Sequence, residues 1–496
     1  MFDNGEPQQN HPTQNEDSEK EKDSLDTRPC IAIAGASGFL GSNALIKLSQ
    51  NYRIKALCRS EPKTDHLQKE SKIEWVKCDL FNLKSSEEAI SGADFVLYLI
   101  HSMANGSRLT QSTFSDLDLV IADNIARACK KNNIKQIIYV GGILPNIKDD
   151  ISEHLKSREE VEIVLGYSGI PVTSIRAGII IGSGGSSFQI VYRLVNLLPI
   201  LIAPKWTESL SQPVDIQNVM EFIEKCIGNK ECFNQKIDVH GSEVITYNEL
   251  MKRMAAILKL KRIFVTIPFM RIGLSKFWLY LITRIDYHTI SPLVESLKHN
   301  LKAENSALYD KYIPHPIDLN TSLKNAAEGE KKNKKKPKKK LYLEEEKNVR
   351  SIQRLVLPEG WHAIDLAKEY ILWLPKFMFA LMDREINENI VQFKVFGIRL
   401  LTLTFSEDRS NPDRQLFYIT GGFLVDKNYY ANARLEFRIS PHENSAIAAI
   451  HDYKPSLPWY LYRIFQANIH YYVMYRFNKH LKKIANKIQD LKSLYK

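Results

Sequence analysis

The heptapeptide GASGFLG, residues 35–41, stands between the apolar run CIAIA and the amphipathic stretch SNALIKLSQ. Three glycines at this spacing suit one kind of place, the turn from a strand into a helix. Gly35 permits the tight reversal, Gly38 lets backbone amides approach a pyrophosphate, and Gly41 lets the helix pack closely on the sheet. Ser37, Phe39 and Leu40 lie on the same turn and belong to the candidate site. Glycine turns also merely connect elements, so context decides. A strand precedes, a helix follows, and a second strand ends in CRS about twenty residues on, where a dinucleotide's ribose would lie.

From residue 30 to 240, short apolar runs alternate with helical stretches. CIAIAG, YRIKALC, KIEWVKC, DFVLYLI, KQIIYVGG and VTSIRAG have strand character, and SNALIKLSQ, 111–132 and EEVEIVLGYSG have helical spacing. This alternation predicts an α/β fold, a doubly wound parallel sheet with helices on both faces. Residues 245–313 are mostly helical and finish the substrate side of that domain. Beyond the lysine run KKNKKKPKKK (331–340) the pattern changes. A helix over 363–383 is followed by VQFKVF, RLLTLTFS, RQLFYITGGFLV, ARLEFRIS and SAIAAIHDY, then a long helix over 457–492. These predict an α+β domain whose antiparallel sheet buries one face against a helix. The expected organisation is a disordered tail (1–28), a nucleotide-binding domain (29–320), a Lys-rich linker (321–343) and the α+β domain (344–492).

The net charge of +11 points to nucleic acid until its source is located. The lysine run supplies eight of those charges, leaving about +3 for the rest, and no aromatic stacking motif surrounds it. We read it as a solvated tether and expect no specific nucleic-acid partner; peripheral contact with an acidic membrane stays open. Six scattered cysteines without a C-x-x-C pair suit buried thiols in a reducing cytoplasm, with no metal site. The longest apolar stretch, FMRIGLSKFWLYLITRI (269–285), is interrupted by Arg271, Lys276 and Arg284. It reads as a buried or interfacial helix and not as a transmembrane span.

Further residues refine the cofactor. Where an NAD enzyme carries an acid after its second strand, this chain has Cys58, Arg59 and Ser60. Arginine favours a 2′-phosphate, so NADP is expected, with NAD as the alternative. In CDL, Asp79 and Leu80 follow the third strand and can approach the adenine. His101 ends the fourth strand in YLIHSM and, with Ser102, should face the nicotinamide half; a core histidine bonded to backbone is the plain alternative.

The glycine spacing, CRS, CDL, YLIHSM, YVGG and VTSIRAG together resemble the atypical short-chain dehydrogenase/reductases, Rossmann-type proteins. The chain is most similar to their NmrA-like NAD(P)H-binding branch, related to the 39-kDa subunit of respiratory complex I. The resemblance covers about residues 30–315 and implies a serine after the fifth strand, then a Y-x-x-x-K pair on the next helix. Here Gly141 of YVGG stands where the serine would be. In SEHLKSREE (152–160), His154 occupies the tyrosine position and Arg158 the lysine position. Histidine can exchange a proton near neutrality, and Arg158 could hold a ribose or phosphate. The bland reading makes His154 a solvated residue and pairs Arg158 with Glu162. Tyr475 and Lys479 have the motif spacing in the terminal helix, by coincidence.

The C-terminal part looks like a domain fused to such proteins in bacteria, and its helix–strands–helix order is similar to the START-like helix-grip fold. That resemblance implies a pocket for a small apolar or lipid-like molecule. Leu461, Phe465, Ile469 and Tyr472 lie at spacings of three and four, as core or as pocket wall. Two functions follow: an NADP-dependent oxidoreductase acting on an apolar carbonyl or enone, or a catalytically silent NADP-binding redox sensor or assembly factor. The substrate and the oligomeric state are not legible.

Overall fold

The computed structural model describes residues 26–59, 73–101, 107–145, 151–267, 272–283, 287–334, 346–378, 382–426, 432–441 and 444–494. The tail to residue 25, Ser60, Ser102, Arg271, Arg284 and residues 335–345 lie outside them. In chain order the first elements are β1 (Cys30–Ala34), α1 (Phe39–Leu48), β2 (Arg53–Cys58), β3 (Ile73–Lys77), α2 (Leu83–Ile90), β4 (Phe95–Tyr98), β5 (Ser107–Gln111), α3 (Phe114–Lys131), β6 (Gln136–Gly142), α4 (Glu153–Gly166) and β7 (Val172–Ala177). The strand Lys236–Val239 and β7, β6, β4, β1, β2 and β3 form, in that order, one seven-stranded sheet, all of it parallel. Every residue of β1 and β4 is buried, which is why they read as unbroken apolar runs. The strand order reverses at β1, and the crevice beyond its carboxyl end is where a doubly wound sheet takes a ligand.

The first domain extends further than its composition suggests. The helix Leu319–Lys334 buries Leu319, Leu323, Ala326 and Ala327, a stripe at helical spacing. Its Glu330 accepts the Gly184 N–H at 2.7 Å. The segment expected to begin the linker is therefore helical up to residue 334 and packed as far as Glu330. The helix Ile272–Thr283 buries Leu279 but exposes Phe277, Tyr280 and Leu281. Among the described residues, no helix is long and apolar enough to cross a membrane.

The second domain is an antiparallel sheet of seven strands, Glu346–Val356, Met382–Asn387, Ile390–Val395, Ile398–Phe405, Arg414–Gly421, Arg434–Ile439 and Ser445–Tyr453. The first two were not legible as strands. Alternation puts Phe417, Ile419, Leu435 and Phe437 on one face, packed with Leu366 and Tyr370 of helix Ala363–Phe377 and Phe477 and Leu481 of helix Ala467–Leu494. The stripe read from the sequence is neither core nor pocket wall: Phe465, Ile469 and Tyr472 are 56, 57 and 50% exposed. This stretch is apolar on more than one side, and a π turn over Tyr462–Gln466 interrupts its register, so Tyr462, Val473, Met474 and Phe477 are buried instead.

The other face of this sheet is buried too. Ile352, Ile447 and Ala449 join Leu117, Ile121 and Ile125 of α3 in one apolar cluster. Around it are arginines: Arg438 donates to Asp123 at 2.5 Å and Asn124 at 2.9 Å, and Arg354 to Asp116 at 3.0 Å and Glu160 at 2.7 Å. Glu436, 1% exposed, accepts from both Arg414 and Arg438. An eighth strand completes the sheet, and it comes from the first domain. β5 runs parallel to Glu346–Val356, with Leu109 opposite Val349 and Gln111 opposite Ser351. The two domains share a sheet.

Candidate cofactor site and its histidine pair

The crevice at the strand-order reversal is a cavity of about 320 Å³. Its floor is the glycine turn, where Gly38 N–H donates to Gly35 O at 3.0 Å and Gly35 has φ +94°. A Cβ on Gly41 would stand 2.2 Å from the Gly35 oxygen, so α1 can approach the turn only with glycine there. No side chain caps the start of α1 and no acid lies in its first turn. By contrast, Asn82, Thr113 and Ser152 cap α2, α3 and α4. The uncapped amides, with the positive end of the helix dipole, suit a phosphate.

Arg59 stands exposed where β2 ends and lines the same cavity, with no acid at the end of that strand. Cys58 at the end of β2 and Cys78 just beyond β3 line it too, and all six cysteines are buried thiols outside any disulfide. Asp79 lies in the loop that follows β3. Its Oδ1 accepts the Phe81 N–H at 3.1 Å, and its Oδ2 accepts from Arg350 of the second domain at 3.2 Å. Leu80 lines the wall beside it.

His101 lies just beyond β4, on the cavity wall. Its Nδ1 is 3.2 Å from Asp118 Oδ2, and its Nε2 is 3.1 Å from His154 Nδ1. His154 is in the first turn of α4, which Ser152 starts by accepting the Leu155 N–H. A carboxylate only accepts, so His101 carries its proton on Nδ1 and accepts at Nε2; His154 then donates from Nδ1. The order Asp118, His101, His154 is a hydrogen-bonded chain whose basic end is His154 Nε2. Burial, then the Arg158 charge, lowers the His101 pKa, with Asp118 opposing. Burial, His101 and Arg158 hold His154 well below the usual imidazole range. Both rings are neutral at neutral pH.

Arg158, one turn after His154, is 5% exposed and pairs with Asp118, also donating to the Ile100 carbonyl at 3.1 Å. It does not pair with Glu162, which takes Arg176 and Lys236 instead. Gly141 has a local reason. A Cβ there would meet the Tyr139 ring at 2.8 Å, and the Tyr139 hydroxyl is spent donating to the Arg158 carbonyl at 3.0 Å. A serine cannot stand there unless that ring moves.

Of the residues expected at the site, Gly35, Ser37, Gly38, Arg59, Asp79, Leu80 and His101 line the cavity. Phe39, Leu40, Gly41, Gly141, His154 and Arg158 are not part of its lining. Phe39 packs over the Gly182–Gly185 turn, where a Cβ on Gly182 would be 2.7 Å from its ring. Sequence reasoning missed Asp118, Leu117 and Ile121 of α3, and Arg350. The acids of α3 fall where a solvated face is expected, and Arg350 lies 271 residues from Asp79.

Residues 35–194 match the family model described as NAD(P)H-binding. Among curated proteins, the auxiliary protein GraX of Staphylococcus aureus is 28% identical over 117 residues, which span 23% of this chain and 37% of GraX. Among solved structures, a nucleoside-diphosphate-sugar epimerase from Staphylococcus aureus has a TM-score of 0.48 at 17% identity, covering 60% of this chain and 99% of its own. The NADPH-dependent quinone oxidoreductase of Escherichia coli, in complex with NADPH, has 0.47 at 17%, covering 59% and 98%. The triphenylmethane reductase of Citrobacter sp., in complex with NADP(H), has 0.48 at 15%, covering 60% and 99%. The first domain is an NAD(P)-binding domain.

Proposed function

We propose that the chain is an NADP-dependent reductase of a small apolar carbonyl or enone compound. One observation carries this reading: an uncapped helix start over a glycine turn and the rim residue Arg59 line one cavity. The amides hold the pyrophosphate, Arg59 pairs with the 2′-phosphate, and Asp79 approaches the adenine. When bound, the reduced cofactor supplies a hydride. The acceptor also needs a proton, and the chain from Asp118 through His101 to His154 is the device to move one. His101 forms the wall, Asp118 fixes its tautomer, and His154, outside the lining, donates to His101 Nε2 and replenishes its proton. Because both imidazoles are held below their usual range, the protonated form grows only on acidification. Turnover should therefore rise as pH falls from 7 towards 5.

Fluorescence titration should give tighter binding of NADPH than NADH, and Arg59→Glu should reverse the order. Equal affinities in the parent protein refute the role of Arg59. His154→Ala should lower turnover on the order of a hundredfold and leave cofactor affinity unchanged. The second reading, a silent NADP-binding sensor or assembly factor, draws on Gly141 and on two imidazoles that are neutral at pH 7. Tight NADPH binding without oxidation across a panel of quinones, enones and aldehydes at pH 5–8 would favour it.

A further inference from the structure

We infer that Arg350, carried by the second domain, forms part of the adenine end of the cofactor site. This rests on the NADP-binding reading above. Arg350 lines the same cavity as Gly35, Ser37 and Arg59 but comes from the strand Glu346–Val356. It is 6% exposed. Its guanidinium carbon lies 3.8 Å from the centre of the Phe81 ring, and its Nη2 donates to Asp79 Oδ2. Asp452 approaches the same nitrogen at 3.7 Å. Opposite Arg350 on the neighbouring strand is Thr110 of β5, so the backbone that carries it is fixed to the first domain.

The loop 79–82 is held by the second domain at three points. Besides Arg350 on Asp79, Arg434 donates to the Phe81 carbonyl at 3.2 Å and Arg409 to Asn82 Oδ1 at 3.3 Å. Arg434 and Arg409 hold the loop from outside the cavity, whereas Arg350 reaches its lining. A planar guanidinium there can stack on a purine or donate to its ring nitrogens, and by pairing with Asp79 it offsets an acid that would repel a nucleotide's phosphates. Adenine is common to NADPH and NADH, whereas the 2′-phosphate is not. Arg350 and Arg59 are thereby assigned different parts of one ligand.

The test is titration of NADPH and of NADH into full-length protein. Arg350→Ala should weaken both by about tenfold, keeping their ratio, whereas Arg59→Ala should weaken NADPH alone. Arg354→Ala is the docking control, since Arg354 holds Asp116 and Glu160 away from the cavity; it should leave both affinities near those of the parent. Should Arg350→Ala not fold, Arg350→Gln carries the same expectation. Unchanged affinities in a folded Arg350 variant overturn the proposal. So does a loss confined to NADPH, which moves Arg350 to the 2′-phosphate, or an equal loss in Arg354→Ala, which reduces it to a docking contact. A parent protein that binds neither cofactor refutes the underlying reading instead.

Discussion

Replacing Asp118 tests how the site is held. Its carboxylate is fully buried and faces Arg158, His101 and the Ser157 hydroxyl, which donates at 3.3 Å. Asp118→Asn keeps the shape and removes the charge. The buried Arg158 guanidinium then keeps the Ile100 carbonyl and loses its counter-ion. Removing one partner of a buried ion pair costs about 3–5 kcal/mol. Arg158→Met leaves the Asp118 carboxylate beside His101, which can take up a proton and compensate, so it should cost less, on the order of 1–3 kcal/mol. The double variant buries neither charge, and its loss should fall below the sum of the singles by about 1–3 kcal/mol. Urea unfolding followed by tryptophan fluorescence and by circular dichroism measures these terms, provided that the two probes coincide. Strict additivity, or an Asp118→Asn variant within about 0.5 kcal/mol of the parent, would refute the argument. Cofactor titration of Arg158→Met adds a second test. Its guanidinium is committed outside the cavity lining, so NADPH affinity should hold; a tenfold loss at preserved stability would make Arg158 a ligand of the cofactor.

Two further outcomes follow from single residues. Gly41→Ala drives a Cβ to within 2.2 Å of the Gly35 carbonyl oxygen and should abolish NADPH binding in a titration while lowering the melting temperature. His451 is fully buried, and burial, then the Arg434 and Arg350 charges, holds its pKa well below the usual range. The unfolded chain takes up this proton below about pH 6.5 while the native one does not, so stability is full above that pH and declines as pH falls towards the native pKa. His451→Phe should flatten the fall in melting temperature between pH 6.5 and 5, and an unchanged slope would remove His451 as its source.

The parts of the fold that were legible are those written locally. The glycine turn, β1, β4 and β6 announce themselves by short apolar runs and punctuation, and an arginine after β2 is read in place. What was not legible depends on partners distant in sequence. Arg438 meets Asp123 across 315 residues, and neither gives a sign of being buried. Such residues look like the solvated faces of a strand and a helix. β5 is short and polar, and only the sheet edge it completes makes it a strand. His154 and Arg158 were found by their offset from a motif, but Asp118, which organises both, lies on an unrelated helix. Gly141 reads as a missing serine, and the reason for it is the ring of Tyr139 two residues before.

The borrowed strand bears on how this chain is made. β5 begins 239 residues before the strand Glu346–Val356 that it pairs with, counted from Ser107 to Glu346. At about 5–20 residues per second, a ribosome needs roughly 10 to 50 s to cover that distance. Throughout that interval, the outer surface of α3 presents Leu117, Ile121 and Ile125 without Ile352, Ile447 and Ala449, Asp116 without Arg354, and Asp123 with Arg127 but without Arg438. β5 meanwhile has no neighbour to take its backbone groups, the condition that invites pairing with another chain. The nascent protein therefore passes through a long stage in which this apolar face and strand edge lack their partners. A chain cut after Lys334 never leaves it.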